Sequence, residues 1–197
     1  MLTKSRRLLG LPVVSLADGQ QLGRIRAPVV DPKTLTVVAL MLDPGGLFRE
    51  HRLVPFKAVR NVGEHAVTVD DANAVKRLSE VPELAPLVRQ AVNLLGARVI
   101  SEDGRFWGHT EEYLVDATGN IDHFVIHPGS WQALARGKGL LPARAVRAAG
   151  PASLVIRAEA VEEINWEGGT LKNFQEYWRR ILGPEKDRPV PPPEAQG

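Results

Sequence analysis

The chain has 197 residues, of which 44% are hydrophobic and 24% are charged, and its formal net charge is +2. It contains no cysteine, which excludes disulfide bonds, a thiolate nucleophile and a cysteine-ligated zinc site. No apolar run approaches the length of about 18 residues that spans a bilayer, so we expect no membrane insertion.

The opening of the chain has two interpretations. Three basic residues precede an apolar run at residues 8–17, which is the pattern of a secretory signal peptide. The same residues also fit a first β-strand at Leu11–Leu16, followed by a turn at Asp18-Gly19. A second copy of the pattern inside the chain would favour the strand, because no signal peptidase acts there.

A long internal repeat supplies that second copy. The series Leu-Leu-Gly, Val, Ser and Asp-Gly at residues 8–19 returns at residues 94–104. The most specific match is VPFKAVR at residues 54–60, which returns as LPARAVR at residues 141–147. We therefore expect the opening residues to be retained, the domain to be duplicated, and the protein to be cytoplasmic.

Short strands separated by turn residues are predicted along each copy. In the first copy they fall at Leu11–Leu16, Gly23–Val30, Leu35–Leu42, His51–Pro55 and Ala66–Asp70, with a one-turn element at Phe56–Val59 and a helix or turn at Asp71–Ser79. Strands of this spacing with glycine at the corners favour a small closed barrel, which removes exposed edges. So small a domain buries a marginal core, so we expect each copy to pack on the other or on a partner.

The last segment belongs to neither copy. Leu171, Phe174, Trp178 and Ile181 recur at helical spacing and predict an amphipathic helix. Its apolar stripe has two interpretations, a cover for a barrel or a docking surface for a partner or second subunit.

The predicted fold class is all-β: two tandem small β-barrels plus a C-terminal amphipathic helix. The predicted units are a first barrel at 1–80, a linker at 81–91, a second barrel at 92–166, the helix at 167–183 and a disordered, proline-rich tail at 184–197.

The repeated motifs resemble those of a known family. The Leu-Leu-Gly start, the Asp-Gly turn followed by Gly23, the Val30-Asp31 strand end and the late Val54-Pro55 are similar to the PRC-barrel domain, named for the cytoplasmic part of the photosynthetic reaction-centre H subunit. The resemblance covers residues 5–78 and 92–165. It implies a small β-barrel used as a docking module, found also in RimM-type ribosome-maturation factors, and it brings no catalytic motif.

The sequence departs from both well-known members of that family. It lacks the membrane helix that precedes the reaction-centre barrel. Its first half is another copy of the same barrel, whereas a RimM-type factor carries a different barrel there.

The histidines and aspartates are interpreted as structural. His123 and His127 have the spacing of zinc ligands on a helix, but on a predicted strand their side chains stand about 13 Å apart. The repeated aspartates sit beside glycine or at strand ends, where they form turns by bonding their own backbone; they are Asp18, Asp31, Asp103 and Asp116. The sequence thus predicts no catalytic, metal or cofactor-binding residue, and a protein that is not an enzyme.

Basic residues are the better candidates for function. The net charge is +4 over residues 1–80 and −2 over residues 93–166, so the copies present different surfaces. A positive stripe can meet an acidic protein or RNA phosphates. The candidate partner-binding residues are Arg24, Arg26, Arg136, Lys138, Arg144, Arg147, Phe174 and Trp178.

Two functions of different class remain open from sequence. The first is a non-enzymatic adaptor that docks another protein, with self-association as a homodimer an open alternative. The second is an RNA- or ribosome-associated assembly factor, which the sequence pI of 9.1 favours.

Overall fold

The structure is a computed structural model, which describes residues 2–43, 50–129 and 137–166. The predicted C-terminal helix and tail lie outside the described residues. Across the described ranges, no helix is long and apolar enough to cross a membrane.

The first copy is a curled, seven-stranded sheet. Its strands are β2 (Pro12–Ser15), β3 (Gln21–Asp31), β4 (Thr36–Leu42), β5 (Arg52–Pro55), β6 (Val59–Val62), β7 (Val67–Val69) and β8 (Lys76–Arg77). They are ordered β6-β7-β2-β3-β4-β5-β8. The neighbours pair antiparallel except β2 and β7, which run parallel.

The second copy repeats this sheet strand for strand. Its strands are β9 (Arg98–Ser101), β10 (Phe106–Val115), β11 (Ile121–Pro128), β12 (Gly139–Pro142), β13 (Val146–Ala149), β14 (Ser153–Ile156) and β15 (Asn165–Trp166). Their order is β13-β14-β9-β10-β11-β12-β15, with a parallel β9–β14 pair. A 3₁₀ turn follows the fourth strand in both copies, at Phe56–Ala58 and Ala143–Ala145. The predicted all-β fold of two tandem barrel-like units is confirmed.

The sheets are curled but not closed. No ladder within the described ranges joins β6 to β8 or β13 to β15, so the prediction of a closed barrel was wrong in this detail. The end strands are short, and β8 and β15 have two residues each. Because the edge strands are short, they leave few unpaired backbone groups exposed, although the sheet does not close.

Alternation of side chains along the strands builds the core. Val13 and Ser15 of β2 are buried while their neighbours are half-buried, as expected for a strand with one face on a core. Inward residues of both sheets form one hydrophobic cluster that includes Leu40 of the first copy and Phe124 of the second, both fully buried. The two small units therefore share a core, as the size of each copy predicts.

The hairpin turns of the two copies meet at the junction. The Val37 amide donates to the Gly119 carbonyl at 2.8 Å, and the Ile121 amide donates to the Leu35 carbonyl at 2.9 Å. Thr36 and Asn120 form an isolated antiparallel bridge between them. The loop ends of both sheets are thus fixed against each other by backbone hydrogen bonds.

An N-terminal arm crosses from the first copy to the second. β1 (Thr3–Lys4) pairs with β10, and α1 (Ser5–Leu8) follows it before the chain enters β2. The predicted first barrel, at 1–80, includes these residues, whereas β1 adds a strand to the second sheet. Two residues carry no periodicity from which such pairing could be read.

The predicted linker is an ordered part of the fold. It contains 3₁₀ turns at Leu78–Glu80 and Pro82–Leu84 and the helix α2 (Ala85–Gln90). A further 3₁₀ turn occurs before it at Ala72–Ala74, and another precedes β15 at Glu159–Glu163. Because α2 is short and starts with Pro86 in its first turn, the sequence shows little helical periodicity there.

Candidate functional site

Three of the candidate basic residues are paired with carboxylates. Lys138 contacts Glu111 at 2.8 Å, Arg144 contacts Glu163 at 2.8 Å, and Arg147 lies 3.6 Å from Glu102. These neighbours offset the positive charge of the second copy. The structure does not bring the second-copy candidates into a free positive stripe, and Arg136, Phe174 and Trp178 lie outside the described residues.

The first-copy candidates have a different environment. Arg24 and Arg26 lie on β3, and both are exposed, while Ile25 between them is buried. Arg24 Nη1 donates to the Gly10 carbonyl at 2.9 Å, which holds the side chain along the surface without cancelling its charge. Within the described ranges, neither arginine forms an ion pair.

A β-bulge sets the direction of Arg26. The pairing of β3 with β4 shifts register between Ile25 and Ala27, so Arg26 is the extra residue of the bulge. A bulge bends the strand and re-aims a side chain. The two arginines therefore project from one short stretch of β3, a strand that pairs with β2 on one side and with β4 on the other.

Arg52 joins this region, and sequence reasoning missed it. Its Nη1 donates to the Leu22 carbonyl and its Nη2 to the Asp43 carbonyl, each at 3.1 Å. The Asp43 amide in turn donates to the Arg24 carbonyl at 2.9 Å. Arg24 and Arg52 are thus attached to one residue, Asp43, from two strands. We name Arg24, Arg26 and Arg52 the basic edge.

The basic edge could have been found by comparing the two repeats. In the second copy, the positions equivalent to Arg24, Arg26 and Arg52 are occupied by His109, Glu111 and Gly139. Residues that only build the barrel are shared, such as Gly23 and Gly108 or Pro55 and Pro142. The three positions of the basic edge instead carry arginine in the first copy and residues of different charge in the second. The barrel fold therefore does not require arginine there.

The geometry of the basic edge suits an anionic ligand. Guanidinium groups present a planar set of donors that matches carboxylate and phosphate oxygens. Each exposed pair contributes only about 0–1 kcal/mol on its own, so several contacts have to act together. Arg24 and Arg26 supply exposed guanidinium groups from β3, and the half-buried Arg52 adds its charge from β5, on the far side of β4.

The predicted structural roles of the aspartates are confirmed at three positions. Asp18, Asp31 and Asp116 each accept a hydrogen bond from the backbone amide two residues later. Burial would raise the pKa of Asp116, but hydrogen bonds from Thr118 and Asn120 outweigh it, and the pKa is lowered. Asp103 accepts from the Ser101 hydroxyl.

Both histidines of the zinc-like spacing lie on a strand, as predicted. His123 and His127 belong to β11. His123 contacts Asp122, and His127 Nδ1 lies 3.1 Å from the Pro128 carbonyl. Within the described ranges, no group of three or more potential ligands is placed to hold a metal ion.

An exposed aromatic residue is the second feature that sequence reasoning passed over. Phe106 is 39% exposed at the start of β10. The Arg98 guanidinium carbon lies 5.2 Å from its ring centroid, and the His109 ring meets it edge-on at 5.0 Å. Arg98 therefore already lies over the ring, so Phe106 is not an open platform for stacking.

Comparison with known proteins bears on the first copy. Residues 3–76 match the family model of the PRC-barrel domain. These residues include every strand of the first sheet except the last residue of β8, and they contain the whole basic edge. No curated protein matches the chain.

Proposed function

Residues 3–76 belong to the PRC-barrel family, and from that premise we propose that the protein is a non-enzymatic docking adaptor whose first barrel binds an acidic segment of a partner protein. The basic edge of Arg24, Arg26 and Arg52 is the contact surface. The second barrel supports the first through the shared core and the N-terminal arm. The proposed compartment is the cytoplasm.

The observation that carries the proposal is the contrast between the copies. The same positions hold three arginines in one barrel and His109, Glu111 and Gly139 in the other. Arg24 and Arg52 bond backbone carbonyls, whereas Lys138 of the second copy bonds the Glu111 carboxylate. A surface that concentrates uncancelled charge on rigid strands favours electrostatic recognition, which raises association rate and specificity.

RNA binding is the second candidate function. Phe106 beside Arg98 and His109 is the feature that favours it, because single-stranded nucleic acids bind aromatic and basic residues together. The position of Arg98 over the ring weighs against base stacking there. The basic edge has no aromatic residue of its own among the side chains that define it.

A charge-reversal experiment separates the two functions. We expect Arg24→Glu with Arg26→Glu to weaken binding of a fluorescein-labelled polyglutamate peptide by at least about tenfold, since two attractions become repulsions. Fluorescence anisotropy measures the affinity. Binding by the unaltered protein should weaken as salt rises, because exposed charges are screened.

The matched control is Arg144→Glu with Arg147→Glu, which changes the net charge equally at residues that already pair with carboxylates. Equal weakening by both variants would show that the peptide responds to overall charge, which contradicts the proposal. Tight binding of a polyuridine oligonucleotide with no binding of the peptide would favour the RNA function. Affinity capture from the native cell, followed by mass spectrometry, would then identify the partner.

A further inference from the structure

Both sheets carry an apolar patch on the face turned away from the shared core. On the first sheet it consists of Val29, Ala39 and Leu53. On the second it consists of Leu114, Val125 and Leu140, all at most 4% exposed. The repeat makes Leu53 and Leu140 equivalent and Val29 and Leu114 equivalent, so the patches are the same surface in two copies. We name them the first and second outer faces.

The first outer face is covered by the chain that leaves its own sheet. Five apolar side chains from the segment after β8 pack on it; they are Leu78, Val81, Leu84, Leu87 and Val88. They follow one another at spacings of three, three, three and one. This is how the predicted linker becomes part of the fold.

Among the described residues, the apolar cover of the second outer face is smaller than that of the first. Leu2 is the apolar side chain of the described ranges that packs against it. Leu8 and Leu94 are equivalent in the repeat, and Leu2 precedes Leu8 by the same number of residues as Val88 precedes Leu94. Leu2 is thus the repeat equivalent of Val88. Leu2 therefore supplies what Val88 supplies to the first outer face, and the described ranges provide no counterpart of Leu78, Val81, Leu84 or Leu87.

The chain leaves both sheets at the same place. In the first copy Leu53 pairs with Lys76 of β8, and in the second Leu140 pairs with Asn165 of β15. Each exit thus lies beside a residue of the outer face. The chain continues for 31 residues after Trp166, and five residues of chain can reach up to about 17 Å.

The residues that follow β15 include apolar side chains at a spacing similar to that of the segment that covers the first outer face. Leu171, Phe174, Trp178, Ile181 and Leu182 follow one another at spacings of three, four, three and one, with charged residues between them. Phe and Trp bury about 150–250 Å² each, which is more than the aliphatic residues of the first cover. A lone helix of this length is not stable in water, so it requires a surface.

We propose that residues 171–182 dock on the second outer face, packing their apolar stripe against Leu114, Val125 and Leu140. The occupant is this chain's own C-terminal segment, which completes the second barrel as residues 78–88 complete the first. The inference does not depend on the proposed function, because the outer face and the basic edge are different surfaces.

A double-mutant cycle in the full chain tests the docking. Val125→Ala and Trp178→Ala should each lower the urea midpoint of unfolding, and the combined variant should lower it by clearly less than the sum of the two shifts. Residues in contact give non-additive effects, whereas distant residues add. If Trp178→Ala prevents folding, Trp178→Leu is used in the same cycle.

Met41→Ala provides the matched control. Met41 is the repeat equivalent of Val125 and packs at the first outer face, so its shift should add to that of Trp178→Ala. Additive shifts in both cycles would overturn the proposal. So would dissociation of a dimer on Trp178→Ala in sedimentation equilibrium, because the occupant would then be a second copy of the chain.

Discussion

Gly119 lies at the junction where the hairpin turns of the two copies meet. Its φ is +95°, and a Cβ placed on it would lie 2.6 Å from the Val37 carbonyl oxygen and 2.9 Å from the Phe56 ring. Both neighbours belong to the first copy. The junction between the copies therefore requires a residue without a side chain at position 119.

Gly119→Ala should destabilise the protein by about 3 kcal/mol or more, because a strained backbone and a backbone collision act together. The control is Gly104→Ala, where φ is +82° but no heavy atom lies within 4 Å of the added Cβ. We expect that variant to cost only about 1 kcal/mol. Equal urea midpoints for the two variants would show that the junction tolerates a methyl group.

Residue types at turns were predictable because their physics is local. An aspartate that bonds its own backbone two residues later needs no partner from another strand, and Asp18 and Asp31 behave as predicted. Arg52 was not predictable in this way. Its carbonyl acceptors are Leu22 on β3 and Asp43, which directly follows β4, and only the folded sheet brings them together.

At the scale of elements, the buried Ser5 hydroxyl adds to the β1–β10 pairing that holds the N-terminal arm. Ser5 is 1% exposed; its Oγ donates to Glu112 at 3.3 Å and accepts from the Tyr113 amide at 3.2 Å. The Arg6 amide also donates to the same glutamate at 2.9 Å. Ser5 thus fixes the arm on β10 of the other copy.

Ser5→Ala should cost about 1–3 kcal/mol, since it leaves the buried Tyr113 amide without its acceptor. Ser79 provides a comparison, because its hydroxyl also bonds a glutamate, Glu50, but at an exposed position. We expect Ser79→Ala to change the free energy of unfolding by less than about 1 kcal/mol. A loss at Ser5 no larger than that at Ser79 would contradict a structural role for the Ser5 hydroxyl. Thermal or urea unfolding measures both.

The strands could be predicted from sequence because each carries its own pattern and the repeat confirms it. Thr36–Leu42, for example, was expected at Leu35–Leu42 from its apolar, β-branched run. The arm at Thr3–Lys4 could not be predicted, since two residues have no period and their partner strand lies more than a hundred residues away. Lys76–Arg77 and Asn165–Trp166 could not be predicted either, because strands of two residues have no period.

At the scale of the whole molecule, three kinds of contact join the two copies. One core cluster contains residues of both sheets, the arm pairs with the far sheet, and the hairpin turns bond across the junction. Two small units that each bury a marginal core gain stability by sharing it. We therefore expect a single cooperative unfolding transition for the two copies.

The distribution of tryptophan makes this testable in the unmodified chain. All four tryptophans, Trp107, Trp131, Trp166 and Trp178, follow the first copy, so tryptophan fluorescence reports on the second half while far-UV circular dichroism reports on both. Leu40, fully buried in the first copy, provides the perturbation. Leu40→Ala should cost about 2–5 kcal/mol through lost apolar burial and a residual cavity. In a cooperative molecule it shifts the fluorescence and dichroism midpoints equally, whereas copies that fold independently would leave the fluorescence midpoint unchanged.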